Sequence, residues 1–534
     1  MRHRASPVVS TTTAKRFMTK VVNTWHIDNE RDKKRFFKFL PYMLLIALVI
    51  NAVSVYRDTN ADIYFMMAEA RWWISHHFDF FTIDPLSMHE GFKASFEKWL
   101  CCLIYYGMYN LFEKIGLSGW IGICVVEAII NSLLAFVLVR ICRMSGISKN
   151  WSYISAYCIL ICLLFFRLAR PQIFTYLFLA LEIYLLEKSK KDLNPKLLLW
   201  LIPIAIAEIN IHSTQYPILF IFLLPYLIDF LDKDGYPYKK QLFFTCIGMG
   251  LSMLINPYGI NGMTYIFKSY NKYTKKIFDD LVMECTPLKI TDPLLFSGVL
   301  FCFTLSVVLL AKHSISHRAA LLNIITSLMG FSAVRNIAFL LVSSVLLWIY
   351  SVRLFNSSEK WHSLVLHWMD SLATRVFIAV LITTWILEPP IFVRYRYMSL
   401  TTKVETENTD STVNDEYYKH IAQEMISRLA EEKDVTGKTI FCHDDVGSFA
   451  EWKGLKPYMD TRIEVFMKIV NGREDIIQEL TDMQTDTKTF LTQNDFDYII
   501  VLPKEVFNTL IEDDNCGYKI IDEQDGVYLL EKEK

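Results

Sequence analysis

The chain has 534 residues, 53% hydrophobic and 14% aromatic but only 21% charged, with a net charge of -1 and a mean hydropathy of +0.27. A soluble chain of this length rarely carries a positive mean hydropathy, so the composition points to a membrane protein. The balanced charge argues against nucleic acid as a partner, because neutralising phosphates takes a basic surface.

In chain order, residues 1–37 are polar and include Lys15, Arg16, Lys33, Lys34 and Arg35. They lack an apolar stretch followed by a small-residue cleavage site, so they read as a cytoplasmic N-terminal segment and not as a signal peptide. Apolar runs long enough to span about 30 Å of hydrocarbon then recur to residue 394. They cover 38–56, 117–140, 151–169, 171–187, 196–211, 215–231, 240–258, 293–311, 318–334, 336–352 and 375–393, about eleven spans. Basic clusters separate them, among them Arg140, Arg143 and Lys149, then Lys188, Lys190, Lys191 and Lys196, then Lys239 and Lys240, Lys312 and Arg318, and Arg353. With eleven spans every cluster falls on one side, which the positive-inside rule makes the cytoplasm. This count requires the short run 99–112 not to cross, which suits an interfacial or re-entrant helix on the outer side. Residues 357–374 read as an interfacial helix on the inner side.

After Arg394 the chain changes character. Residues 395–414 read as a linker, and 415–534 alternate helical and strand patterns. Helices are expected near 416–432, 473–483 and 504–512, and strands at 439–443, 457–460, 497–502, 518–521 and 527–530. This is a small α/β domain, and the odd number of spans places it outside.

Sidedness sorts the polar residues. The long first outer loop, 57–98, holds Asp62, Asp84, Glu97 and Lys98, and the later outer turns hold Arg170, His212, Asn256, Glu284 and Arg335. Polar groups at membrane depth are costly and so mark functional candidates, although outer-loop charges also serve to solvate their loops. Asp62 opens an amphipathic stretch and suits either a general base at the bilayer surface or an N-cap. Arg170 and Arg335 fit an anion site or snorkelling at a span end, and His212 fits either a ligand contact or a structural role. Asn256-Pro257-Tyr258-Gly259 is first a helix stop and turn. Within the spans Glu127, Asn131 and Glu182 each need a polar partner. In the tail, Asp460 and Arg462 are placed to pair and hold a loop over the membrane cavity. No spacing of potential ligands compels a metal site.

Together these residues resemble the GT-C fold glycosyltransferases, polytopic enzymes that use polyprenyl- or dolichyl-phosphate sugars, such as the protein O-mannosyltransferases and the lipid A aminoarabinose transferase. Their first loop reads Asp-Glu-x-x-Tyr and later Glu-Lys-Pro-Pro-Leu. The counterparts here are Asp62-Ile63-Tyr64 and Glu97-Lys98-Trp99-Leu100, without the second acid and without the Pro-Pro. The chain is closer still to a bacterial subgroup of GT-C-like membrane proteins, through Asp84-Pro85-Leu86-Ser87, Arg170-Pro171-Gln172, Asn210-Ile211-His212 and Arg335-Asn336. Val446-Gly447-Ser448-Phe449 and Tyr458-Met459-Asp460-Thr461-Arg462 in the tail continue the likeness.

The resemblance implies an α-helical polytopic membrane protein, GT-C-like over residues 38–394, with a small C-terminal extracytoplasmic α/β domain, in a bacterial cytoplasmic membrane. It implies transfer of a sugar from a polyprenyl-phosphate donor to an acceptor on a cell-envelope glycan, lipid or protein. Asp62 is then the expected base, with Glu97 or Asp84 assisting. Lys98, Arg170 and Arg335 are expected at the donor phosphate, and Tyr64, His212, Asn256 and Glu284 at the acceptor or lining the cavity. The implied partners are the lipid-phosphate-linked sugar donor, membrane lipids and the acceptor. A divalent cation is a possible cofactor: pyrophosphate-linked donors in related oligosaccharyltransferases use one, whereas monophosphate-linked donors generally need none. The rival reading is a non-catalytic membrane protein, lipid- or glycan-binding or transporter-like, or a degenerate GT-C relative with an outer sensing domain. A transporter would place polar residues near mid-membrane; here they concentrate at one interface.

Overall fold

The computed structural model describes residues 61–80, 82–93, 97–163, 166, 169–228, 235–269, 271–357, 411–483, 487–503 and 517–533. The N-terminal segment, the expected spans 38–56 and 375–393, the inner helix from 358 to 374, linker residues 395–410 and the helix at 504–512 lie outside the described residues.

The apolar runs form helices in the order expected. These are α1 (Asp62–Ser75), α2 (Trp99–Lys114), α3 (Gly119–Met144), α4 (Lys149–Leu163), α5 (Gln172–Lys191), α6 (Leu201–Ile211), α7 (Tyr216–Leu227), α8 (Lys239–Ser252), α9 (Ile260–Ser269), α10 (Lys272–Leu281), α11 (Pro293–Ala311), α12 (His317–Ser332) and α13 (Ile337–Ser357). Among the described residues, three helical stretches are long and apolar enough to cross a membrane: α3, α11 and Val334–Phe355. The other expected spans in this region are helical but shorter or more charged. α6 and α7 keep 11 and 12 residues, because the 3-10 turns Pro195–Trp200 and Ser213–Gln215 interrupt their runs. α5 has 20 residues but ends on Lys188, Lys190 and Lys191.

Leucine, isoleucine and alanine side chains of α3, α5, α6, α7, α12 and α13 share one buried core. Facing outward instead are Ile129 and Phe136 of α3 and Leu294, Leu300 and Phe301 of α11, an apolar surface suited to lipid chains. Several basic residues gather at one end of the bundle. Arg353 donates to the Ser145 carbonyl, Lys191 to that of Met144 and Arg143 to that of Ile147, while Arg318 pairs with Glu187 at 3.0 Å. Residues 62, 97, 170 and 284 meet at the other end. Of the acids and amides expected to need polar partners inside the bundle, Glu127 accepts from Tyr105 at 2.6 Å and Asn131 donates to the Glu127 carbonyl of its own helix, whereas the buried Glu182 carboxyl has no hydrogen-bond partner among the described residues.

The C-terminal sheet has the order β2-β1-β3-β5-β4, with β1 (Thr439–Phe441), β2 (Lys456–Pro457), β3 (Tyr498–Val501), β4 (Tyr518–Gln524) and β5 (Val527–Lys532). The first three strands run parallel and the last two antiparallel. A parallel pair needs a crossover, and the helix Asp444–Lys453 supplies it between β1 and β2. That helix corrects the expected strand 439–443, whose last residues are its N-terminal approach. The helix Ser411–Glu432 likewise begins inside residues read as linker. These two helices cover one sheet face, with Ile421, Met425 and Val446 in a core shared with α1 and α2. Phe441, Tyr458, Phe490 and Phe496 fill the other face. The ring of Tyr64 stands edge-on to Phe449 at 4.8 Å and to Trp120 at 5.6 Å, which seats the sheet domain on α1.

Candidate functional site

A cavity of about 1390 Å³ lies between the helix ends and the sheet domain. Asp62, Glu97, Lys98, Arg170, His212, Glu284 and Arg335 all line it. These seven come from the first loop, the start of α5, the α6–α7 turn and the loops before α11 and α13, segments far apart in sequence.

Asp62 lies in the first turn of α1, whose N-cap is Ala61, so it is not the cap residue. Its Oδ2 is 2.8 Å from Arg170 Nε, and Arg170 Nη1 donates to Glu284 Oε1 at 2.8 Å. The arginine thus bridges two carboxylates. Burial works against its charge, but Asp62 and then Glu284 more than offset this and raise its pKa. Glu284 sits on a 3-10 turn, Met283–Cys285, and Arg335 on another, Val334–Asn336. Backbone bonds from Val334 to Thr286 and from Leu288 to Phe331 hold these turns side by side.

Lys98 lies 3.2 Å from Glu97. Burial opposes its charge as well, and Glu97, Asp62 and Glu464 together raise its pKa above the ordinary lysine value. Its ammonium stands 4.9 Å from the centre of the Phe65 ring, and Arg462 stands 5.4 Å from the same ring, so one aromatic side chain is flanked by two cations. The Glu97 carbonyl accepts from Ser213 N at 2.8 Å, which ties the first loop to the turn carrying His212. Burial, then the charges of Lys98, Arg335 and Arg170, push the His212 pKa well below the ordinary imidazole value. The imidazole is held neutral.

Three expected site residues are placed elsewhere. Asp84 does not line the cavity; it is 4% exposed and bonded to Arg462 Nη1 at 2.9 Å. Tyr64 is buried in the aromatic contact between α1 and the sheet domain. Asn256 accepts from Tyr258 N and donates to the carbonyls of Met253 and Gly259. Its amide is occupied in holding its own turn.

Arg462 is the centre of a network that only partly shows in the sequence. It reaches Asp460 at 2.6 Å, the pairing expected in the tail, but also Glu451 at 2.8 Å, Asp84 at 2.9 Å and Glu69 at 3.2 Å. One guanidinium thus joins α1 and the first loop to the sheet domain beneath the cavity wall. Burial pushes Glu69 up from 4.5 to about 7, against the pull of Arg462. Burial and the nearby Glu97 also raise Glu464, another cavity residue. Glu69 follows Asp62 by two helical turns and shares its face of α1, the one sequence signal that connects them. Glu464 and Glu451 carry no comparable signal.

Among the described residues, those that could hold a cation are His443, Asp444 and Asp445, whose ligand atoms lie within 4.8 Å of one another. They line the cavity, but Asp445 already pairs with Lys419 at 2.6 Å and Asp444 with His443 at 2.6 Å.

The chain thus combines a helical bundle, an α/β domain and a cavity of carboxylates and cations between them. The chain matches no protein-family model and no curated protein. Among solved structures, it superposes on the oligosaccharyltransferase of Archaeoglobus fulgidus tethered with an acceptor peptide containing the NVT sequon. The TM-score is 0.56 over 87% of this chain and 69% of that one, at 10% identity. The oligosaccharyltransferase AglB of the same organism, in complex with an inhibitory peptide and a dolichol-phosphate, gives a TM-score of 0.55 over 86% of this chain and 69% of that chain, also at 10% identity. The likeness is one of fold.

Proposed function

We propose that the chain is a membrane glycosyltransferase that transfers a sugar from a polyprenyl-phosphate donor to an extracytoplasmic acceptor. The observation that carries this reading is the cavity in which Lys98, Arg170 and Arg335 face Asp62 and Glu97. A departing phosphate needs cationic stabilisation, which arginine donors supply well, and an acceptor hydroxyl needs a nearby proton acceptor. The fold neighbours were captured with an acceptor peptide and with a dolichol-phosphate, which supports a lipid-phosphate donor. Arg170 supplies positive charge between Asp62 and Glu284, where two carboxylates would otherwise attract a metal ion. That supports a monophosphate-linked donor used without a divalent cation. The gathering of Arg143, Lys191, Arg318 and Arg353 at the opposite end supports a cytoplasmic face there and an outward-facing cavity. We assign the chain to a bacterial cytoplasmic membrane, with its first 37 residues inside and its sheet domain outside.

The test uses the purified full chain in nanodiscs with radiolabelled undecaprenyl-phosphate mannose and glucose, with and without envelope glycans and peptides. Release or transfer of label, lost in Arg335→Ala, is the expected result. The pairing of Asp62 with Arg170 favours a second reading, a degenerate relative that binds lipid-linked sugar without turnover. Saturable binding of the donor with no release of label would establish that reading instead.

A further inference from the structure

The cavity wall at His212 opens onto a short chain of buried polar groups. Thr175 Oγ1 on α5 lies 3.2 Å from His212 Nδ1 and donates to Glu208 Oε1 on α6 at 2.7 Å. All three side chains are buried, with Thr175 and Glu208 fully excluded from solvent. With Glu208 as the carboxylate, it accepts the single hydroxyl proton of Thr175, and the bond to His212 then runs from Nδ1–H to the threonine oxygen. The imidazole is thereby held with its proton on Nδ1. Its Nε2 lone pair is left on the side away from Thr175, and His212 lines the cavity. Glu208 also has room to take up a proton: its second oxygen, Oε2, is buried without a hydrogen-bond partner among the described residues.

Building on the transferase reading, we propose that His212 is the base that deprotonates the acceptor, and that Thr175 and Glu208 relay the proton away from the cavity. The acceptor hydroxyl oxygen forms a bond to the anomeric carbon as the bond from that carbon to the phosphate oxygen breaks. The breaking bond's electron pair leaves with the lipid phosphate. The hydroxyl proton passes to His212 Nε2, the Nδ1 proton to Thr175 Oγ1 and the threonine proton to the Glu208 carboxylate. The sum is one proton moved from acceptor to Glu208, with no further reactant.

The surroundings explain why a relay is needed. Lys98, Arg335 and Arg170 all act on His212 electrostatically, so an imidazolium there would be repelled by the cations that hold the phosphate. Passing the proton inward to a carboxylate removes that repulsion while leaving the cations for the leaving group. Asp62 cannot do the same as directly, because Arg170 holds its carboxylate in an ion pair. His212 and Asp62 therefore divide two tasks that the motif alone assigns to one acid.

The experiment measures release of mannose from undecaprenyl-phosphate mannose by the full chain in nanodiscs, with water as the acceptor. His212→Gly is expected to lower kcat about 100-fold with little change in KM, and added imidazole should restore part of the loss. Thr175→Val should lower kcat about tenfold while Thr175→Ser, which keeps the hydroxyl, stays close to wild type. Glu208→Gln can still accept from Thr175 but cannot take the proton, so it should lower kcat without raising KM. Wild-type turnover with unimpaired kcat in His212→Gly, or losses that imidazole does not relieve and that are equal in both Thr175 variants, would overturn the relay and leave the transferase reading intact. Absence of turnover in the wild type would overturn the transferase reading itself, and the relay with it.

Discussion

Arg170 and Asp62, separated by more than a hundred residues in the chain, form an ion pair 2.8 Å long at the cavity wall, and the same guanidinium reaches Glu284 at 2.8 Å. The residue expected to bind phosphate and the residue expected to act as base are therefore partners before any substrate arrives. A donor phosphate would compete with Asp62 and Glu284 for Arg170, and its binding would loosen the carboxylate.

A direct consequence is that the two residues act as a unit. Asp62→Asn and Arg170→Ala should each weaken donor turnover, but the double variant should be less impaired than the sum of the two. The expected coupling is about 0.5–3 kcal/mol, the range for residues in one ion-pair network. A double-mutant cycle on kcat/KM for the donor measures it, and strict additivity would show that the pair does not function together.

The Arg462 cluster should be the strongest single contributor to docking of the sheet domain. Arg462 and its partners Asp84, Glu451 and Asp460 have side chains at most 1% exposed, and that of Glu69 is 4% exposed. Removing the one cation leaves four carboxyl groups buried without it. Breaking a buried pair in this way costs about 3–5 kcal/mol. Arg462→Ala should lower Tm accordingly and make the sheet domain more sensitive to limited proteolysis. An unchanged Tm would mean that apolar contact through Tyr64 and Phe449 suffices for docking.

Much of this arrangement is legible in the sequence, and the limits are physical. Hydropathy locates helices because an apolar run of sufficient length has few alternatives to helix at bilayer depth. Glu97-Lys98 and Asp62 stand out because charged residues beside such runs are costly to keep. Asp84 stands out for the same reason, yet it meets Arg462 away from the cavity, because nothing in a sequence says which charges meet. Arg462 looked like the partner of Asp460 alone, two residues away. Its contacts with Glu69 and Asp84 span nearly 400 positions and depend on how the tail folds back. The helix Asp444–Lys453 lies between two expected strands and follows the first without a break. Thr175 carries no signal, since threonine in an apolar helix is commonplace; Glu208, an acid inside an expected span, signals only the need for a polar partner, and packing alone shows that Thr175 joins it to His212.

Gly447 is set in a motif of the tail, and the structure gives a reason for it. A Cβ at this position would lie 2.0 Å from the Met459 carbonyl oxygen, so the helix Asp444–Lys453 would have to move away from the loop carrying Asp460 and Arg462. Gly447→Ala should cost about 1–3 kcal/mol, as overpacking of a close contact does. It should also lower the apparent affinity for donor, because that loop lines the cavity through Thr461 and Arg462. Parallel measurement of Tm and donor KM checks both effects. Gly447→Ala with wild-type Tm would mean that the helix shifts freely and that the close approach is not required.

Stability should fall as the pH rises across the neutral range, and Glu69 should account for much of the slope. Burial pushes its carboxyl up from 4.5 to about 7, outweighing the attraction of Arg462 and Lys98. The folded chain then keeps a proton on Glu69 that the unfolded chain releases above 4.5. Where the folded state binds more protons than the unfolded state, stability declines with rising pH. The contribution is complete below 4.5 and is lost as the pH rises through about 7. Glu464, raised mainly by burial and by Glu97, acts in the same direction. Asp84 acts in the opposite one: burial opposes its charge, but Arg462 and the bonds from Ser87 hold its pKa below the ordinary value, so its contribution is lost on acidification. Melting curves of the full chain between about pH 5 and about pH 8 should therefore show a falling Tm. Glu69→Gln, neutral throughout, should flatten the fall, whereas Glu464→Gln should flatten it further only if its proton is released in the same window. An identical slope in wild type and Glu69→Gln would place the titrating group elsewhere in the cavity.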